Sequence, residues 1–140
     1  MLNVIIIFLA IFIPAKASGD EIAVVVNDSL NIKEIDHDKL LDIYMLNIQK
    51  WEDGQKIILC DLKNEIELKK QFYKHLGKKS YEFRKIWIRA QLTGEGDVPA
   101  TFSTEQAMIK KIESTPGAIG YMSAENVPGS AQVIYRFTIK

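Results

Sequence analysis

At 140 residues, 47% hydrophobic and 26% charged, the chain has room for one domain with a real core and lacks the composition of a disordered polymer or a repeat array. Basic and acidic side chains balance at 18 each, so net charge gives no footprint for nucleic acid or for an anionic membrane. The one cysteine, Cys60, has no intramolecular disulfide partner, and its setting in Ile57-Ile58-Leu59-Cys60 reads as a small buried side chain at a strand end.

The chain opens on an almost purely apolar run, Val4 to Ile13, followed by Pro14 and by Ala15-Lys16-Ala17, whose small residues fit what signal peptidase reads. A bilayer span needs about 20 apolar residues. The run is shorter, so it reads as a signal peptide over 1–17, cleaved after Ala17, and not as a transmembrane anchor. That places the remaining domain, 18–140, in the periplasm. Removal takes away Lys16 and leaves 17 basic against 18 acidic side chains, a formal charge of −1.

Ile22-Ala23-Val24-Val25-Val26 is a continuous apolar strand of the kind covered on both faces in the middle of a parallel sheet, and Asn27-Asp28-Ser29 supplies turn chemistry after it. From Asp36 or Asp38 as a cap, Leu40, Leu41, Tyr44, Met45 and Ile48 recur at helical spacing, and the helix is expected to give out near Lys50. Trp51-Glu52-Asp53-Gly54 carries the Asp-Gly signature of a turn, with Trp51 expected to pack and not to stack on a ligand. Ile57 to Cys60 is a second short buried strand. Asp61-Leu62-Lys63-Asn64 then leads into a helix bearing Ile66, Leu68, Phe72, Tyr73 and Leu76, ended by Gly77. On that helix the Lys69-Lys70 pair reads as a solvated face.

A further helix is expected over Ser80–Leu92, with Phe83, Ile86, Trp87 and Ala90 on one stripe. Thr93-Gly94-Glu95-Gly96 follows a helix and lacks the spacing and the following lysine of a phosphate loop, so it reads as a connection. Ser103-Thr104-Glu105-Gln106 looks like a capping box with Ser103 as the N-cap, opening a helix with Met108, Ile109 and Ile112. Pro116-Gly117 is a tight turn feeding the apolar run Ala118 to Met122. After a turn at Glu125–Ser130, Val133, Tyr135 and Phe137 alternate with Ile134, Arg136 and Thr138, the period of an edge strand whose second set faces a more polar side.

Five of these stretches stand in a telling order: Leu40-Leu41-Asp42-Ile43-Tyr44, Trp51-Glu52-Asp53-Gly54-Gln55-Lys56-Ile57, Phe72-Tyr73-Lys74-His75-Leu76-Gly77, Thr93-Gly94-Glu95-Gly96-Asp97-Val98-Pro99 and Pro116-Gly117-Ala118-Ile119-Gly120-Tyr121. The series resembles the substrate-binding proteins of phosphate-type ABC transporters over about Ile22 to Met122. The resemblance implies an α/β fold, a mostly parallel sheet flanked by helices, equal to one lobe of a two-lobed type-2 periplasmic binding protein. Roughly 120 mature residues suffice for one such lobe. The resemblance further implies a small anion as ligand, phosphate or another oxyanion, and an ABC permease or another envelope protein as partner.

In this fold class the strand-to-helix turn after Asp61 is where helix-start amides meet an anion. The candidate ligand-binding residues are therefore Asp61, Lys63, Asn64 and Glu65. The phosphate binders carry an arginine with serine, glycine and threonine at the corresponding turn, and this chain has none of that set there. Asp61 and Glu65 instead complement the positive helix end themselves, so tight phosphate binding is not expected.

Catalytic chemistry is not expected either. His37 and His75 are expected to lie far apart on different helices, neither at metal-ligand spacing from another ligand, so zinc is not predicted. There is no Gly-x-Ser-x-Gly elbow, and Asp36 with Asp38, or Glu52 with Asp53, read as caps and turns. No cofactor is implied. Two functions remain: an exported solute-binding protein of a transporter, and an exported interaction module that keeps the lobe, has lost the pocket and binds a protein partner.

Overall fold

The computed structural model describes residues 20–139. The expected signal segment and its cleavage site after Ala17 lie outside them. The described chain forms β1 (Glu21–Asn27), α1 (His37–Tyr44), β2 (Ile58–Leu62), α2 (Glu67–Leu76), α3 (Ser80–Thr93), β3 (Ala100–Phe102), α4 (Glu105–Ser114), β4 (Ala118–Ser123), a 3-10 turn (Ala124–Asn126) and β5 (Ala131–Thr138).

The strands make one five-stranded sheet in the order β3-β2-β4-β1-β5. β2 runs parallel to β3 and β4, while β1 is antiparallel to both β4 and β5. Four strands therefore point one way and β1 alone runs against them. The apolar run Ile22 to Val26 is interior and fully buried as expected, yet its neighbours are antiparallel and not parallel. A continuous apolar strand reports cover on both faces and says nothing of its neighbours' direction.

Helices cover both faces. Alternation along β4 sends Gly120 and Tyr121 to opposite sides. On Gly120's side α4 comes so close that a Cβ would lie 2.7 Å from Ile112 Cδ1 and 2.8 Å from Met108 Sδ. Asn27, at the end of β1, donates through Nδ2 to the carbonyls of Ile112 at 2.7 Å and Glu113 at 3.1 Å, satisfying the last turn of α4. On the other side Tyr121 stacks on Phe72 of α2 at 3.9 Å between ring centroids. Behind it Tyr44, Tyr73, Phe83 and Trp87 build an aromatic layer that joins α1, α2 and α3.

The Pro116-Gly117 turn forms as read. Gly117 has φ +83°, and a Cβ there would collide with the Lys56 carbonyl oxygen. Its own carbonyl accepts from Trp51 Nε1 at 2.9 Å and from the Ile58 amide at 3.0 Å, which pins the Asp-Gly turn to the start of β4. Trp51 is buried and packs as expected.

Several boundaries differ from the sequence reading. Asp36 caps α1 through the Lys39 amide at 2.8 Å, but the helix ends at Tyr44, well before Lys50. Leu46 takes φ +64°, and Gln49 and Lys50 are claimed by backbone pairing with Ile57 and Lys56 across the Asp-Gly turn. The cap of α4 is Thr104 and not Ser103: its hydroxyl accepts from the Ala107 amide at 3.1 Å. Glu105 accepts from the Ser123 amide at 2.8 Å, tying the helix start to the end of β4. In β5 a bulge opposite Val24 and Val25 breaks the alternation and turns Ile134 into the core, while Val133, Tyr135 and Phe137 stay half-buried.

Candidate functional site

β2 delivers Asp61 to the carboxyl end of the sheet, and the loop 63–66 lifts the chain into α2. Asp61 is not a loop carboxylate beside the helix end, as the sequence suggested; it is a buried strand residue, 2% exposed. One of its oxygens, Oδ1, accepts from Tyr121 OH at 2.7 Å and Tyr73 OH at 2.8 Å. The other, Oδ2, accepts from Lys69 Nζ at 3.1 Å. That ammonium also donates to the Leu62 carbonyl at 2.7 Å and stands 3.6 Å from Glu65 Oε1. Tyr121 OH in turn accepts from the Leu62 amide at 3.4 Å.

Lys69 is thus no solvated residue. It is 3% exposed, and the reason is geometric: Lys69, Phe72, Tyr73 and Leu76 follow i, i+3, i+4, i+7, the inward stripe of α2. The charge of its neighbour Lys70 hid this in the sequence, since one helical step of 100° sends Lys70 out as Lys69 goes in. The stripe itself was the sign that could have found it. Tyr73, Tyr121 and nearby Tyr44 are held protonated, their pKa values raised first by burial and then by the Asp61 charge. Tyr73 and Tyr121 are therefore obligate donors to that carboxylate, while Tyr44 OH donates to the Cys60 carbonyl at 3.2 Å. Among the described residues no buried side-chain nitrogen or oxygen lacks a partner.

Of the other expected site residues, Lys63 and Asn64 are exposed. The Lys63 amide donates to the Phe102 carbonyl at 2.7 Å, joining the loop to β3, and the Asn64 carbonyl accepts from the Ile66 amide at 2.8 Å. Glu65, with a side chain 44% exposed, accepts from Ser80 Oγ at 2.7 Å and lies 3.8 Å from Arg84 Nη2. Helix α2 begins at Glu67, and its N-cap Ile66 has no side-chain bond. Next to this turn lies an open recess of about 390 Å³, lined by Asp61, Lys63, Lys69, Arg84, Trp87 and Thr101 among others. The structure brings Asp61 and Lys63 together at this recess and places Glu65 at the groove beside it, between α2 and α3. Arg84, Trp87 and Thr101 were not anticipated, because α3 and the three-residue β3 reach the site only through tertiary packing.

The histidines also depart from expectation. His37 and His75 meet with ring centroids 5.3 Å apart. His37 Nε2 lies 2.9 Å from the His75 carbonyl oxygen, which fixes that nitrogen as a donor. His75 Nε2 sits 2.7 Å from Tyr135 OH, and its ring stacks on Phe137 at 3.8 Å. Burial, and secondarily the neighbouring His37, lower the His75 pKa. No group of three or more His, Cys, Asp or Glu converges as a metal site among the described residues. Burial pushes the Cys60 thiol up to about 12, far from the range of a nucleophile.

No family model and no curated protein matches the chain. Solved structures do. A phosphate ABC transporter substrate-binding protein with bound phosphate from Clostridium perfringens superposes with a TM-score of 0.67 at 18% identity, over 82% of this chain and 44% of that one. An ABC-type phosphate transport receptor from Vibrio cholerae gives 0.65 at 19%, over 82% and 46%. PstS from Borrelia burgdorferi gives 0.63 at 15%, over 82% and 46%. The chain therefore has the fold of these transporter binding proteins and spans less than half of their length.

Proposed function

We infer that this chain is an exported, substrate-binding-like protein of the phosphate transporter type, acting in the periplasm on a small anion that it holds weakly, with an ABC permease as its partner. The fold shared with three phosphate-transport proteins supports the class. One observation carries the ligand reading: the strand-to-helix turn at Asp61 is already filled from within. Lys69, the buried cation lining the recess, donates to Asp61 and Leu62 and faces Glu65. An incoming dianion would have to displace a buried ion pair and would meet two resident carboxylates. What remains for it is exposed Lys63, Asn64, Arg84 and a few backbone amides.

A site of about 1 μM requires roughly 8 kcal/mol, and one of about 1 mM roughly 4 kcal/mol. The expected phosphate dissociation constant is about millimolar or weaker. Calorimetry of the full chain with phosphate and a panel of oxyanions tests this. Micromolar phosphate binding that disappears in Lys63→Ala or Asn64→Ala would restore a plain phosphate-binding role.

The same filled turn favours a second reading, a lobe that has given up its ligand and serves as an interaction module for an envelope protein. Absence of binding for every anion in the panel would select it.

A further inference from the structure

The neutral total conceals an uneven distribution of charge. Residues 63–89 carry nine basic and three acidic side chains, whereas the rest of the chain carries nine against fifteen. In the fold this segment is α2, α3 and their junction. The three acids are engaged internally: Glu65 with Ser80 and Arg84, Glu67 with Gln71 Nε2, and Glu82 with the Lys79 amide. Between the helices runs an open groove of about 890 Å³, with Lys70, Lys74, Lys78, Lys79, Tyr81 and Arg84 on its walls. Arg84 also lines the recess at Asp61, so the basic surface is continuous from one to the other.

Helix α3 adds an apolar ridge to this surface. Its inward residues are Phe83 and Trp87. At 100° per residue Tyr81, Ile88 and Leu92 fall within a narrow arc on the opposite side, with Arg84 and Arg89 to either flank. These three are 50%, 45% and 82% exposed. Lys85 lies on the same arc, its Nζ 5.4 Å from the centre of the Tyr81 ring. A helix that sets apolar residues outward between cations is built for a medium that is apolar inside and anionic at its boundary.

We propose that the α2–α3 face docks on an anionic phospholipid membrane, with Tyr81, Ile88 and Leu92 entering the interface and the surrounding cations meeting headgroups. The composition of the face favours lipid over an acidic protein partner. Of the seven cations on this face that are not buried, five, Lys70, Lys74, Lys78, Lys79 and Lys85, are lysines, which protein interfaces disfavour relative to arginine. Headgroups make no such demand, because they recognise charge density without fixed geometry.

The test is partition of the full chain into vesicles of phosphatidylglycerol and of phosphatidylcholine. Phosphatidylglycerol should bind at least about tenfold more tightly, and high salt should weaken that binding. The paired changes Lys74→Glu with Lys78→Glu, and Ile88→Ser with Leu92→Ser, should each lower it by about tenfold, while Lys74→Arg with Lys78→Arg retains it. All variants share the same residues 1–17, so differences between them report the α2–α3 face. Tyr81→Trp gives a local readout, because Trp51 and Trp87 are already buried. Its emission should shift to the blue on phosphatidylglycerol vesicles. Equal partition into both lipids, or insensitivity to both paired changes, overturns the proposal. So does Tyr81→Trp emission that shifts with polyglutamate and not with vesicles, which would assign the face to an acidic protein segment.

Discussion

The ion pair between Asp61 and Lys69 sets the behaviour of the site at the residue scale. Removing one partner of a buried pair strands the other charge, at a cost of about 3 to 5 kcal/mol, whereas replacing both with apolar or neutral groups is often close to neutral. Lys69→Met should therefore lower the urea midpoint strongly, and the double change Asp61→Asn with Lys69→Met should recover much of the loss. Equal destabilisation by the single and double variants would show that the pair is not the unit that matters. His75 makes a second prediction, in pH. Its folded pKa lies below the ordinary 6.5, so the folded state binds this proton less readily than the unfolded chain does. Stability from this group is complete above about 6.5 and falls as pH drops through that value towards the folded pKa. Denaturation midpoints of the wild type should fall more than those of His75→Gln between pH 7 and 5. The two settings differ in how far the sequence carried them: the stripe of α2 marked Lys69 as inward although adjacent Lys70 masked it, whereas the two histidines are 38 residues apart and meet only where α1 packs on α2.

Elements were legible where a local rule fixes them. The Pro116-Gly117 turn, the Asp53-Gly54 turn and the glycine cap of α2 each depend on one left-handed backbone position, φ +83°, +87° and +91°, and glycine declares such positions. At Gly117 the demand is double, because the Lys56 carbonyl occupies the place of a side chain. Gly117→Ala should cost at least about 1 to 3 kcal/mol, and Gly117→Val more, read as a fall in melting midpoint. Gly54, with open space around it, should tolerate alanine better. Where the competing rule is tertiary, the sequence was silent or misleading. β3 has three residues and no apolar run. α1 is cut short by the hairpin that takes Gln49 and Lys50. The bulge in β5 moves Ile134 from the side its alternation implied.

At the scale of the whole molecule, the expected class of fold could be read from five ordered stretches, while the sheet's one reversed strand could not. The proposed export rests on residues outside the described fold and is tested separately. Expressed in a Gram-negative host, the protein should accumulate in the periplasm with Ser18 as its first residue. Full-length protein retained in the cytoplasm would end that reading. The buried thiol offers a whole-chain probe of integrity: Cys60 should resist alkylation in the native state and react once the chain unfolds.

The reversed strand also dictates an order of assembly. β1 is made well before its partners β4 and β5, with which it pairs in register from Ile22 opposite Ser123 to Glu21 opposite Thr138. The strand on which the sheet closes has no neighbour until β4 and β5 have been made. Contacts of such sequence separation form slowly. Until β4 and β5 have been made, a nascent chain of this topology cannot close its sheet, and β1 keeps both edges unpaired for that interval.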